Sequence, residues 1–145
     1  MRAPALSAEE LKSLLARDFP EAFNPESGLT VVDVWHGGAR LRQHVGSDAA
    51  RPGGTLSGPT IMALADVGIY VAILATVGWV PLAVTTSLNI NFFRKAVPGV
   101  LIAECRLLKV GKRLAIGAAE IHVDGEGDMV AHATSTYSIP PRPPT

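Results

Sequence analysis

Residues 54–82 read GTLSGPTIMALADVGIYVAILATVGWVPL, and this stretch decides the fold. From Thr55 to Ser87 the chain carries one charged side chain, Asp66. No proline interrupts the run after Pro59, and Pro81 ends any helix there. Ser57 and Gly58 are candidate caps, with Pro59 in the first turn, where a missing N–H costs little. The pattern predicts one long helix over Ser57–Val77. It is apolar nearly all round, as a helix enclosed by a sheet should be. Its length would also suit a bilayer. An ionisable group in the middle is costly in lipid, however, no basic cluster flanks the segment closely, and the rest of the chain is strand-like. The reading is therefore a core helix, with no membrane partner.

Working outward, the period changes from helical to alternating. After Pro81, Val84, Thr86, Leu88, Ile90 and Phe92 share one face of a strand, and Thr85, Ser87, Asn89 and Asn91 the other. Leu101–Lys109 alternates as well, Arg113–Val123 forms another strand, and Met129–Ser138 is the last. Turns are expected at Val110-Gly111-Lys112 and at DGEGD, residues 124–128. Before the long helix, Leu29–Trp35 and Ala39–Val45 read as strands joined by a hairpin at His36-Gly37-Gly38. Ser7 to Arg17 reads as a short helix, with Ser7 and Glu10 as a capping box and Leu11, Leu14 and Leu15 as its stripe. The expected architecture is α+β: an antiparallel sheet of about six strands wrapped around one long helix. The whole chain, 1–145, is read as one domain, with an N-terminal helix and loop over 1–28 and a proline-rich tail over 139–145.

Composition bounds the function. The chain has 145 residues, is 48% hydrophobic, and balances 13 Lys+Arg against 13 Asp+Glu. No global basic field attracts nucleic acid. The one cysteine, Cys105, excludes an intrachain disulfide and fits a reducing compartment. The N-terminus lacks the apolar run of a signal peptide, so a cytoplasmic location is expected. His36, His44, His122 and His132 show no metal-ligand spacing, and no metal is expected.

Two features carry chemistry. An ionised carboxylate in an apolar helix is expensive without partners, and such a setting yields either a structural Asp or a usable base or nucleophile. The helix start, Ser57-Gly58-Pro59, gathers free N–H groups and the positive end of the dipole, where an oxyanion can be stabilised. Gly58 and Asp66 lie eight residues apart, about 12 Å along the axis at 1.5 Å per residue. If both act on one bond, the site must be shared between two copies related by a twofold.

The run from Gly54 to Asp66, GTLSGPTIMALAD, followed by TTSLNINFFRKAVPG, resembles the hotdog-fold thioesterases of the phenylacetate-degradation (PaaI-like) type, over roughly Thr30 to Ser138. The resemblance implies a hotdog fold and hydrolysis of an acyl-CoA thioester to free acid and CoA. It implies Asp66 as nucleophile or general base and Gly58 of a second copy as oxyanion donor. Thr85 falls where a hydroxyl positions water or the Asp. The assemblies it implies are a homodimer and, built from it, a homotetramer. CoA is bound as part of the substrate, and no other cofactor is implied. Two departures stand out. Ser57-Gly58-Pro59 replaces His-Gly-Gly, and Arg51 stands where some members have a polarising Asn. Arg51 could hold a charged acyl group or pair with Asp66 and silence it.

Further candidates for substrate contact are Ser57 and Asn89, with Arg94, Lys95, Lys112 and Arg113 for the phosphates of CoA. Ser57 is not in a G-x-S-x-G setting and reads first as a helix cap. Two other functions fit the same residues. One is a hotdog hydratase or dehydratase acting on an acyl thioester. The other is a non-catalytic binder of acyl-CoA or a small aromatic ligand.

Overall fold

The computed structural model describes residues 2–141. Helix α1 (Ala8–Asp18) leads into β1 (Leu29–Trp35) and β2 (Gly38–Val45); a short 3-10 turn, Ser47–Ala49, precedes helix α2 (Gly58–Val77). Strands β3 (Val84–Phe92), β4 (Gly99–Val110), β5 (Leu114–Val123) and β6 (Met129–Ser138) complete the chain. The strands form one antiparallel sheet in the order β1-β2-β4-β5-β6-β3. This is the wrapped-sheet architecture expected from the sequence. β3 crosses to the far edge beside β6, which leaves β1 and β3 as the two edge strands.

The sheet can curl onto α2 because its inner face is built from small side chains. Ala103, Ala115, Ala119, Ala131 and Ala133 are all at 0% exposure, so the helix backbone comes close. Two glycines mark the closest approach. A Cβ on Gly68 would lie 2.5 Å from Cys105 Sγ, and one on Gly117 would lie 2.7 Å from Ile69 Cγ2. On the helix side Ile69, Val71, Ile73 and Leu74 are fully buried, each contributing about 1.5–3 kcal/mol relative to exposure. By length and composition α2 could cross a membrane, yet 61% of its apolar window is buried within the protein.

The ends of the elements follow their local chemistry. Ser7 Oγ accepts from Glu10 N–H while Glu10 Oε1 accepts from Ser7 N–H, closing the capping box of α1. Leu11 and Leu15 are buried and Leu14 is half-buried. The hairpin turn places Gly37 at φ 96°, a left-handed conformation suited to glycine, and its N–H donates to Thr76 Oγ1 at 2.9 Å. The tip of the β1–β2 hairpin is thereby tied to the C-terminal end of α2.

The structure departs from the sequence reading in two places. The start of α2 is not one of them: Ser57 is the N-cap, one of the two candidates, and Pro59 lies in the first turn. The sheet does not enclose α2 fully: Met62 and Ala63 are exposed, and Asp66 and Val67 are half-buried, along one open side. In β3 a bulge between Thr85 and Ser87 breaks the strict alternation. Thr85 pairs with Tyr137 and Leu88 with Ser135, so Thr85 shares the helix-facing side with Leu88 and Ile90. Of the proline-rich tail expected at 139–145, residues 142–145 lie outside the described residues. Ile139 is buried, and its N–H donates to Arg113 O at 2.7 Å.

The close approach at Gly68 gives a direct test. Gly68→Ala should overpack the helix–sheet contact and cost about 1–3 kcal/mol, read as a lower urea midpoint at unchanged slope. Adding Cys105→Ala should recover part of that loss by vacating the space of the sulfur.

Candidate active site

Asp66 lies on the open side of α2, where the helix passes the β6–β3 edge of the sheet. Thr85 Oγ1 donates to Asp66 Oδ1 at 2.8 Å. The Tyr137 hydroxyl lies 2.7 Å from the same Oδ1 and 2.8 Å from the Asp66 carbonyl, and its single proton serves both acceptors. Asp66 Oδ2 accepts no hydrogen bond from the described residues. The carboxylate therefore has one oxygen held by two hydroxyls and one left for a ligand. It lines an open cleft of about 1140 Å³ that runs between α2, the segment after it and the N-terminal loop.

Tyr137 escaped the sequence reading. Burial pushes its phenol far above the ordinary range; the neighbouring Thr85 hydroxyl opposes this, and the Asp66 carboxylate beside it adds to it. The group stays a neutral donor through the physiological range. A signal was available in β6, where Ala131, Ala133 and Ser135 alternate with Tyr137 on one face. One large hydroxyl-bearing ring on a face of small residues needs a polar partner on the helix opposite. Thr85, which resemblance picked out, reaches Asp66 only because the β3 bulge turns it inward.

At the start of α2, the Ser57 side chain accepts from Thr60 N–H at 3.4 Å, and its hydroxyl contacts Thr60 Oγ1 at 2.8 Å. Ile61 N–H donates to Ser57 O, and Pro59 has no N–H. This leaves the Gly58 N–H as the first-turn donor with no acceptor among the described residues. The Phe92 ring lies beside the Cα of Gly58: a Cβ there would be 3.4 Å from Phe92 Cζ.

The remaining candidates are spread over the molecule. Arg51 is exposed and forms no ion pair with the described residues; the side-chain partners of Asp66 are Thr85 and Tyr137 instead. Asn89 pairs with Thr134, which places it on the sheet face away from Asp66. Arg94 pairs with Asp128 at 3.1 Å, and Lys95 is exposed beside it. That segment sits near the start of α2, because Leu56 N–H donates to Ala96 O at 2.8 Å. Lys112 and Arg113 lie at the other end, lining a hollow of about 490 Å³ with Val77. A helix of 20 residues is about 30 Å long, so one protomer does not gather these cations into one phosphate site. Cys105 is buried, and burial pushes its thiol up, as suits a core residue. Among the described residues, no three His, Cys, Asp or Glu side chains are grouped to hold a metal.

A family model for the thioesterase superfamily matches residues 53–130, just over half of the sequence. The chain belongs to the thioesterase superfamily. A solved structure of a provisionally named thioesterase from Silicibacter sp. TM1040 is 37% identical, covers 97% of this chain and 96% of its own, and superposes with a TM-score of 0.85. The phenylacetic acid degradation protein PaaI from Thermus thermophilus, solved as a point mutant, is 26% identical, with 83% and 98% covered and a TM-score of 0.71. A provisionally named esterase of Thermoplasma acidophilum is 28% identical over 132 residues, which is 90% of this chain and 96% of the relative. The sheet around one long helix is the hotdog fold of these thioesterases. Superfamily membership and these neighbours support a thioesterase or esterase activity. The matched segment holds Gly58, Asp66 and Thr85 and stops short of Tyr137.

Two measurements check the geometry. Tyr137→Phe removes a donor to a carboxylate and should cost about 1–3 kcal/mol in denaturant unfolding. Burial also raises the Tyr70 phenol, with Asp18 adding to it. Both tyrosines should thus stay protonated in the folded protein at a pH just above 10, where an unfolded chain begins to ionise. Their contribution to stability is constant below that pH and is lost as pH rises further. Ultraviolet titration should show Tyr137 ionising only when the protein unfolds.

Proposed function

We propose that the protein is an acyl-CoA thioesterase, hydrolysing the thioester to a free acid and CoA. The observation that carries this reading is the state of Asp66, which lines the cleft, is clamped at Oδ1 by Thr85 and Tyr137, and has no partner at Oδ2 among the described residues. Oδ2 is the atom available either to take a proton from water or to attack the carbonyl carbon. The carbonyl oxygen becomes an oxyanion, and a helix-start N–H such as that of Gly58 stabilises it. The C–S bond then breaks, and the leaving thiolate takes up the proton removed from water to give CoA. Where Asp66 itself attacks, water then hydrolyses the acyl anhydride on Asp66 and releases the free acid. A carboxylate and a backbone N–H suffice for this chemistry, so no further cofactor is called for.

The site is proposed to be shared between two copies. Gly58 and Asp66 of one chain stand about 12 Å apart along α2, too far for one thioester. The outer edge of β3 is unpaired among the described residues, and Phe92 and Phe93 beside it are 46% and 60% exposed. Antiparallel pairing of two β3 strands about a twofold near Leu88 and Asn89 would set Thr85 opposite Phe92 of the partner subunit. Thr85 holds Asp66, and Phe92 lies beside Gly58, so each Asp66 would meet Gly58 of the partner subunit. The dimer then has two equivalent sites. Two such dimers would make the tetramer. One buried thiol and no disulfide suit a cytoplasmic setting.

Thiol release from a panel of acyl-CoAs tests the reading. Asp66→Asn should lower the rate by about 10²–10⁴-fold. Gly58→Pro removes the donor and should lower it by about 10²–10³-fold. Refolding the two variants together should restore about a quarter of wild-type activity, because half of the random dimers then carry one intact site. No recovery in mixed dimers would remove the shared site, and thiol release surviving Asp66→Asn would remove the mechanism.

A further inference from the structure

The cleft beside Asp66 extends well past the reacting atoms. Along α2 its wall is Ala63, Val67 and the buried Tyr70, residues that follow one another at helical spacing. The opposite wall comes from the N-terminal segment, where Phe19 and Leu29 face the lane. Three rings mark its course away from the carboxylate. Tyr137, whose hydroxyl meets Asp66, stacks on Tyr70 at a centroid distance of 6.1 Å and an angle of 28°. Phe19 then meets Tyr70 edge-on, at 6.1 Å and 90°.

Several polar groups along this lane already have partners, while Glu21 and Trp79 also line the cleft. The Tyr70 hydroxyl donates to Pro81 O at 2.8 Å. Gln43 Nε2 donates to Ser27 O at 3.2 Å. At the rim, Arg17 is paired with Asp18 through two contacts of 2.8 Å, so the two charges answer each other. Along the Tyr137, Tyr70 and Phe19 stretch the surface offered to an occupant is ring faces and aliphatic side chains, which suits an apolar chain.

Phe19 is the last ring of the lane, and it is held in place. Its N–H closes the C-terminus of α1 on Leu15 O at 2.8 Å, and its carbonyl accepts from Phe23 N–H at 3.0 Å. The buried Phe23 ring stands behind it, 5.9 Å away. Phe19 also lies outside residues 53–130, the part matched by the superfamily model. The floor of the lane is therefore built by a segment that this match does not include.

Resting on the acyl-CoA thioesterase reading, we infer that Phe19 is the floor of the acyl pocket and sets the length of the apolar acyl chain that is accepted. The chain enters at Asp66, runs along Tyr137 and Tyr70, and stops at the Phe19 ring. Removing the ring lengthens the lane, and enlarging it shortens the lane. Each methylene newly buried is worth about a fourfold gain in binding.

The test compares wild type, Phe19→Ala, Phe19→Leu and Phe19→Trp over straight-chain acyl-CoAs from acetyl to dodecanoyl. The readout is the ratio of kcat/KM for longer over shorter chains. Phe19→Ala and Phe19→Leu should move the optimum to longer chains, with a ratio change of about fifteenfold for two additional buried methylenes. Phe19→Trp should move it the other way. Affinities for S-alkyl-CoA thioethers of the same lengths, which cannot be hydrolysed, should shift in parallel. Profiles that fall uniformly at all lengths, or that move the same way for Ala and Trp, would overturn the floor. If wild type hydrolyses none of the thioesters while the thioethers still show the length shift, the hydrolase reading fails and the pocket stands. Phe19→Leu keeps an apolar side chain but loses the outer part of the ring, so the comparison survives a failure of Phe19→Ala to fold.

Discussion

An ionised carboxylate on an apolar helix must be met by donors, and this requirement organises the centre of the molecule. Asp66 cannot turn toward the sheet floor, where α2 rides on alanines and glycines with no hydrogen to offer. It sits instead where the helix passes the edge of the sheet, and two hydroxyls from β3 and β6 converge on one oxygen. That convergence needs the helix at a particular depth. Gly68 against Cys105, and Gly117 against Ile69, set the depth. Larger side chains at those glycines would lift α2 and carry Asp66 away from Thr85 and Tyr137.

The same helix separates three tasks along its length. Its start offers an N–H at Gly58, its middle offers a carboxylate at Asp66, and its end is tied to the β1–β2 hairpin through Thr76. The rise per residue keeps the first two apart within one chain. In the proposed dimer the unpaired β3 edge resolves this, since the strand has Thr85 near one end and Phe92 near the other. One strand thus reports the position of both chemical groups, and reversing a second copy alongside brings unlike ends together. The exposed rings at the edge would be covered by the same contact.

In the proposed enzyme, chemistry and selectivity draw on different parts of the chain. Gly58, Asp66 and Thr85 all fall within the segment matched by the thioesterase superfamily model. The far wall of the cleft is supplied by residues before it, among them Phe19 and Leu29. The α1 capping box and the buried Leu11 and Leu15 hold that wall on the core. A change there alters the shape of the cleft without touching the carboxylate or its two hydroxyl partners.

The sequence alone determined the elements and the residue at the centre. Hydrophobic period is local, so α2, β1 and β6 were legible to within a residue, and a single charge in a long apolar run marked Asp66. The helical rise was enough to separate Gly58 from Asp66. The partners of Asp66 were decided by tertiary structure. Tyr137 is 71 residues away in sequence, and no local pattern reports which inner-face position of β6 lies level with one turn of α2. Thr85 looked outward under strict alternation, because one extra residue in a bulge is invisible in a period of two and reverses the faces on one side of it. Arg94 and Lys95, and Lys112 and Arg113, read as one cationic set along the chain, but the crossing of β3 to the far edge and the length of α2 place them at opposite ends. Patterns along a chain fix which face a residue occupies within its own element; the packing of helix on sheet fixes which residues then meet.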